Sequence, residues 1–134
     1  MSLSKRRTQK RKPGKWIYKK TRLAIYERDN YTCQWCGRKH EKGCNDLSLD
    51  HLTPWILWGH DRHNNLVTCC RSCNSKRGDK RLNQWYKVLE LEFGKDLAEI
   101  ENMKKYVRSI RRRTDSNIQK YRDIITAQMK VQND

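Results

Sequence analysis

The stretch from Leu49 to Asn74 reads LDHLTPWILWGHDRHNNLVTCCRSCN and is the most informative part of the 134-residue chain. A carboxylate and an imidazole stand side by side in it, at Asp50-His51. Two Cys-x-x-Cys pairs flank them, Cys33/Cys36 upstream and Cys70/Cys73 downstream. Four thiolates suit a structural zinc, whereas carboxylate and amide oxygens suit a hard divalent cation. The stretch therefore predicts two metal chemistries in one short segment.

The composition is that of a small nucleic-acid-binding protein. A net charge of +16 and a pI near 9.9 favour a polyanionic partner. Because only 35% of residues are hydrophobic, the core must be small, and small cores commonly need a metal. No long apolar run predicts a membrane span, and no secretory signal is visible. We therefore expect a cytoplasmic protein, with its six cysteines as metal ligands and free thiols.

The positive charge is concentrated at the N-terminus. Residues 1–22 carry ten Lys and Arg and no acid. A basic run without apolar periodicity binds phosphate backbones. We predict a basic arm over residues 1–18, with phosphate contacts from Arg6, Arg7, Arg11 and Lys12. A solubilising tail is the alternative, but Trp16 and Tyr18 within the run favour nucleic acid.

The middle of the chain reads as strand, loop, strand and helix, after a first short helix over 19–28. Residues 46–50 alternate polar and apolar, which predicts a strand. Residues 52–65 contain Pro, Gly and Asn and predict a long loop. A second strand is expected at 66–69 and a helix at 71–77, with Gly78 as its stop.

The last third is predicted to be helical. Apolar stripes run over residues 82–93, 97–110 and 118–129. These stripes are packing surfaces, either onto the zinc core or onto a second subunit. A homodimer through the C-terminal helices therefore stays open at this point. The predicted domains are the arm at 1–18, a catalytic domain at 19–81 and a helical extension at 82–134.

The two cysteine pairs predict a structural zinc bound by Cys33, Cys36, Cys70 and Cys73. Cys69 could replace Cys70, but Cys70 repeats the spacing of the first pair. Cys44 and Cys69 then read as a loop thiol and a small buried residue. Four thiolates leave no open coordination position, so this zinc is assigned to folding.

Phosphodiester hydrolysis needs a base for water, positive charge on the phosphate and stabilisation of the leaving oxygen. His is the side chain best suited as a base near neutral pH. Neighbouring residues of a regular strand point to opposite faces. If Asp50 and His51 both serve one site, the strand must therefore end or twist at them.

At these positions the chain resembles the HNH endonuclease family, in its branch with a four-cysteine zinc site. The matching blocks are Cys33-Gln34-Trp35-Cys36-Gly37, residues 49–54 and residues 65–79, in order over roughly residues 20–81. The resemblance implies an α+β fold with a ββα-metal core. It also implies divalent-metal-dependent hydrolysis of DNA, either nicking or double-strand cleavage.

The resemblance also implies residue roles. His51 resembles the general base, and Asp50 a ligand of the catalytic cation. Asn65 resembles the Asn that braces the loop and orients the base. Asn74 stands where many members have His, which leaves the preferred metal open. Asp plus Asn favours magnesium or manganese.

Other residues near the motif have two readings each. Lys76, Arg77, Lys80 and Arg81 either contact phosphate or form a solvated face. His60 and His63 are expected to be exposed loop histidines rather than DNA or metal contacts. Trp55 and Trp58 are expected to pack in the core, with base stacking as the alternative.

Two other functions compete with a DNA endonuclease. A non-catalytic zinc-ribbon module would use the arm and the cysteines equally well, and so would a basic RNA-associated protein. Neither needs Asp50, His51, Asn65 and Asn74 together. Because all four are present, the sequence favours the enzyme acting on duplex DNA.

Overall fold

The computed structural model describes residues 5–8, 17 and 19–133. The elements are α1 (Lys19–Arg28), β1 (Leu47–His51), β2 (Leu66–Cys70), α2 (Arg71–Arg77), α3 (Leu82–Leu91), α4 (Leu97–Arg111) and α5 (Asp115–Asn133). Two 3-10 turns, Trp55–Leu57 and His63–Asn65, lie in the loop between the strands. The fold is α+β, as predicted, and strand, loop, strand and helix follow in the expected order.

The two strands form one antiparallel sheet, with a register from Leu47↔Cys70 to His51↔Leu66. The α1 and α2 bounds agree with the predicted ones. The strand predicted at 46–50 lies one residue later, at Leu47–His51. The bounds of β1 are set by its pairing with β2, which the local sequence pattern does not show. β1 ends at His51, as the chemistry of Asp50-His51 required.

The sheet separates two apolar clusters. Leu47 and Leu49 pack with α1 and α5 on one side. Val67 and Cys69 pack on the other side with the zinc-motif cysteines and with α3 and α4. This second cluster continues past the predicted domain boundary at residue 81, through Trp85 and Ile110. The domain limits themselves stay predictions.

Two glycines position the loop and the helix of the site. Gly78 ends α2 with φ +55° and ψ −133°, a backbone conformation that favours glycine. A Cβ at Gly59 would lie 1.8 Å from the carbonyl oxygen of Thr53, so any side chain there would push the loop apart. Both positions therefore require glycine for geometric reasons.

The C-terminal helices pack within the chain. Ile118 and Ile125 of α5 are buried in the cluster that contains Ala24 and Ile25 of α1. Ile100, Val107 and Ile110 of α4 are buried in the zinc-side cluster. These apolar stripes have partners in their own chain, so the structure does not support the homodimer.

Two further expectations concern membranes and the arm. In the part of the chain that the structure describes, no helix is both long and apolar enough to cross a membrane. Arg11, Lys12, Trp16 and Tyr18 lie outside the described residues. Arg6 and Arg7 are described, and their contacts are given below.

Candidate active site and zinc cluster

The four predicted zinc ligands meet in space. The sulfurs of Cys33, Cys36, Cys70 and Cys73 all lie within 4.8 Å of one another. A tetrahedral zinc with Zn–S bonds of about 2.3 Å separates its sulfurs by about 3.8 Å, so the cluster has the right size. Cys69 is buried outside this group, which favours Cys70 as the spacing predicted.

Hydrogen bonds link the four cysteines to one another and to nearby amide groups. A hydrogen bond from Cys73 lowers the pKa of the Cys33 thiol to about 4, and the same contact raises the pKa of Cys73. Amide N–H groups of Cys36 and Cys73 donate to the sulfurs of Cys33 and Cys70 at 3.5 and 3.4 Å. Backbone donors favour thiolates, and thiolates bind zinc. The site therefore fits a structural metal such as zinc.

Asp50, His51 and Asn74 line one open cavity of about 550 Å³, between β1 and α2. Pro54 and Trp55 of the loop form another part of its wall. The structure thus brings three of the four predicted catalytic residues to a common space. The fourth, Asn65, lies behind it.

Asp50 is held from inside the protein. Its Oδ2 accepts hydrogen bonds from Trp35 Nε1 and Arg77 NH1, both at 2.8 Å. Burial raises the pKa of the Asp50 carboxyl group, and the Arg77 guanidinium opposes the rise. Among the described residues, these donors reach only one carboxylate oxygen. The other oxygen can therefore face the cavity that Asp50 lines.

Arg77 is buried, not exposed to DNA. Its side chain has no exposed surface and forms an ion pair with Asp50. It also donates to the carbonyl oxygens of His51 and Leu52, at 2.6 and 2.8 Å. The predicted phosphate contact of Arg77 is corrected accordingly, because every face of its guanidinium is enclosed. Arg77 instead joins α2 to the end of β1.

His51 pairs with an acid that the sequence did not single out. Its Nε2 lies 2.7 Å from Oδ1 of Asp61, ten residues further along the loop. The two side chains are 12% and 29% exposed. Of the two, His51 lines the cavity, and Asp61 contacts it from outside the cavity lining. The number of residues between a histidine and its acidic partner varies with the length of the loop. The sequence therefore gives no spacing signal for this pair, and only the folded loop reveals it.

Asn65 braces the loop, and Asn74 lies on α2. The Asn65 side chain accepts from Thr53 N at 2.9 Å and donates to the oxygens of Thr53 and His60. Asn65 is thus a buried clamp across the loop that carries Asp61. Asn74 Nδ2 donates to Ser48 Oγ at 3.2 Å, which turns its amide oxygen away from Ser48.

A buried ion pair anchors the same loop from α1. Arg28 and Asp29 are paired at 2.9 Å with no exposed side-chain surface. Arg28 also donates to the carbonyl oxygens of His63 and Leu66, and Asp29 accepts from Thr68 N and from Tyr106. Sequence reasoning missed this pair because Arg28-Asp29 resembles an ordinary helix end.

The remaining candidates divide between surface and interior. Lys76, Lys80 and Arg81 are exposed, and their DNA contacts stay predictions. His60 is exposed as expected, whereas His63 is buried and bonds to Asp115 at 3.0 Å. The expectation of an exposed loop histidine is therefore wrong for His63, which is buried beside Asp115 at the start of α5. Trp58 is 55% exposed and is not a core residue.

Comparison with known proteins agrees with this geometry. A family model described as HNH endonuclease matches residues 33–88. The matched segment begins at the first zinc-motif cysteine, contains all four candidate catalytic residues and ends in α3. No curated protein matches the chain.

Proposed function

Because residues 33–88 match a family model described as HNH endonuclease, we propose that this protein hydrolyses phosphodiester bonds of duplex DNA with a divalent cation. One observation carries the proposal: Asp50, His51 and Asn74 line a single open cavity inside the matched segment. The four clustered cysteines, buried or half-buried, lie in the same matched segment.

Asp50 and Asn74 would hold the catalytic cation through oxygen atoms. An Asp–Asn donor set fits magnesium or manganese, which prefer oxygen ligands and keep several waters. When bound, the cation would supply positive charge to the scissile phosphate and the leaving oxygen. Arg77 and Trp35 hold the Asp50 carboxylate in one orientation for this purpose.

His51 would act as the general base. With Nε2–H donated to Asp61, the tautomer is the one whose Nδ1 accepts a proton from the attacking water. The Asp61 carboxylate then stabilises the imidazolium that results. The attack would leave a 5′ phosphate and a 3′ hydroxyl, as the family resemblance implies.

The direct test is relaxation of supercoiled plasmid with magnesium or manganese. We expect cleavage by the wild type and none above background by His51→Ala. His60→Ala is the matched control, since His60 is an exposed histidine of the same loop, and it should cleave normally. Absence of cleavage by the wild type with every divalent cation would rule out the enzyme. Equal cleavage by His51→Ala would rule out the mechanism.

The other predicted features remain part of the proposal. Zinc is proposed for the four cysteines, with a folding role. Competition between duplex DNA and RNA for binding would separate the endonuclease from the RNA-associated alternative. The cytoplasmic location, the division at residues 18 and 81 and the DNA contacts of Lys76, Lys80 and Arg81 stay predictions.

A further inference from the structure

A short piece of the basic arm, residues 5–8, is docked on the loop beside the cavity. The Arg7 guanidinium carbon lies 3.5 Å from the ring centroid of Trp55 and 4.8 Å from that of Trp58. Both distances are within the range of about 6 Å for cation–π contact. Arg7 Nε is buried and has no hydrogen-bond partner among the described residues. Among the described residues, the two indoles are the ring contacts of this guanidinium.

Two hydrogen bonds fasten the same piece. The Arg7 amide donates to the carbonyl oxygen of Ile56 at 2.6 Å, and Trp58 Nε1 donates to the carbonyl oxygen of Lys5 at 2.7 Å. Trp58 has φ +69°, in the left-handed region, which is uncommon for a bulky residue. Trp58 is thus an exposed indole on an unfavourable backbone conformation, and its ring contacts Arg7.

The docked segment flanks the cavity without filling it. Trp55, which carries Arg7, lines the cavity, whereas none of residues 5–8 does. Lys5 and Arg6 are exposed on this segment, which reaches the cavity wall through the contact of Arg7 with Trp55. Their charges are therefore available to a phosphate chain that runs from the cavity across Trp55.

We propose that Trp55 and Trp58 form a dock for Arg7 that fixes the basic arm along the DNA strand next to the scissile phosphate. Arg7 is the anchor, and Lys5 and Arg6 contact phosphates. This inference rests on the proposed function and assigns the arm a fixed place on its substrate. A docked arm orders its charges before DNA binds, which lowers the entropy cost of each phosphate contact.

The salt dependence of binding distinguishes an anchor from an ordinary phosphate contact. Each phosphate contact that is lost lowers the slope of log K against log salt by about 0.9. Trp58→Ala removes no charge, and Arg7→Lys keeps the charge but loses the planar stack. If the dock fixes the arm, both variants should lower the slope by about 1 or more. Arg6→Ala, which removes one phosphate contact, should lower it by about 1.

Binding is measured on duplex DNA in a His51→Ala background without divalent cation. We expect Arg7→Ala, Arg7→Lys and Trp58→Ala each to weaken binding at least fivefold, and the Arg7→Ala/Trp58→Ala pair to be no weaker than either single change. Lys105→Ala, an exposed lysine of α4, is the control for loss of one charge elsewhere. Unchanged melting temperatures would exclude misfolding as the cause.

Two results would overturn the proposal. Wild-type affinity and slope in both Arg7→Lys and Trp58→Ala would show that the dock does not serve DNA binding. Tighter binding or faster cleavage in these variants would show that the arm covers the site instead. Because binding is measured without cleavage, a protein that fails the plasmid test can still pass or fail this one.

Discussion

Arg77 determines where the Asp50 carboxylate lies. The two residues are 27 positions apart, and the ion pair between them is enclosed by Trp35 and the end of β1. Removing one partner of a buried pair leaves the other charge uncompensated in the interior. The orientation of the proposed cation ligand and the stability of the fold therefore depend on the same contact.

We expect Arg77→Ala to lower the free energy of unfolding by about 3–5 kcal/mol, since Asp50 loses its buried partner. Lys76→Ala is the matched control on the neighbouring exposed position, with an expected change below about 0.5 kcal/mol. Urea unfolding of both zinc-loaded variants measures the difference. A stability like that of the wild type in Arg77→Ala would contradict the role of the buried pair.

Asp61 is expected to matter for rate rather than for stability. Asp61→Asn removes the charge that stabilises the protonated His51, so the cleavage rate should fall by about 10²-fold or more. The side chain is partly exposed, and folding should be little affected. Asp123→Asn, an exposed acid of α5, serves as the control. A normal rate in Asp61→Asn would show that the pair is only a surface contact.

His63 makes stability depend on pH. Burial lowers the pKa of His63 below 6.5, aided by Arg28 and Arg122 and opposed by Asp115. The unfolded chain therefore takes up this proton first, and stability is lost as pH falls from about 6.5 towards the folded-state pKa. In His63→Gln the difference in melting temperature between pH 7.5 and pH 5.5 should be smaller than in the wild type. An equal difference would show that other groups cause it.

At the scale of elements, the loop between β1 and β2 is held from three sides. α1 contacts it through Arg28, the loop closes on itself through Asn65, and α5 reaches it through Asp115. Packing and hydrogen bonds from neighbouring residues lock the side chains of a site in place, and a loop needs them more than a helix does. The contacts of Arg28, Asn65 and Asp115 hold the loop in the shape that brings Asp61 to His51.

Helix α5 should be essential for stability because it covers α1. Ile125 is 2% exposed, and Ile125→Ala should lower the free energy of unfolding by about 2–5 kcal/mol. Val131→Ala, at a position 75% exposed on the same helix, should change it by less than about 0.5 kcal/mol. Denaturant unfolding compares the two. Similar effects of both changes would contradict the packing of α5 on α1.

At the scale of the whole molecule, the four-cysteine cluster and the C-terminal helices share one core. The four cysteines pack in the cluster that contains Trp85 and Ile110, and the apolar mass around them is small. Metal binding in such a site is largely folding free energy, about 10–16 kcal/mol in small zinc domains. Loss of the metal should therefore unfold the cysteine cluster together with the helices that pack on it.

Removal of zinc by a chelator should abolish the cooperative thermal transition, and Cys33→Ser should do the same. Cys44→Ser is the control, because Cys44 is exposed and lies outside the cluster. Calorimetry together with zinc content gives the readout. A cooperative transition that survives metal loss would show that the apolar clusters suffice.

The order of helices and strands and the four clustered cysteines could be predicted from local patterns in the chain. Local patterns and glycine positions predicted α1, α2 and the order of strand, loop, strand and helix, and the repeated Cys-x-x-Cys spacing chose Cys70 over Cys69. These features depend on near neighbours in the chain, so they are visible in the sequence.

Which distant side chains meet could not be predicted, because it depends on how the folded chain packs. The tertiary structure placed Arg77 inside against Asp50, paired His51 with Asp61, buried His63 beside Asp115 at the start of α5 and stacked Arg7 on Trp55. Burial and pairing depend on elements that are distant in sequence and come together only when the core packs. A basic residue that looks exposed in a sequence can for that reason be the buried partner of the proposed cation ligand.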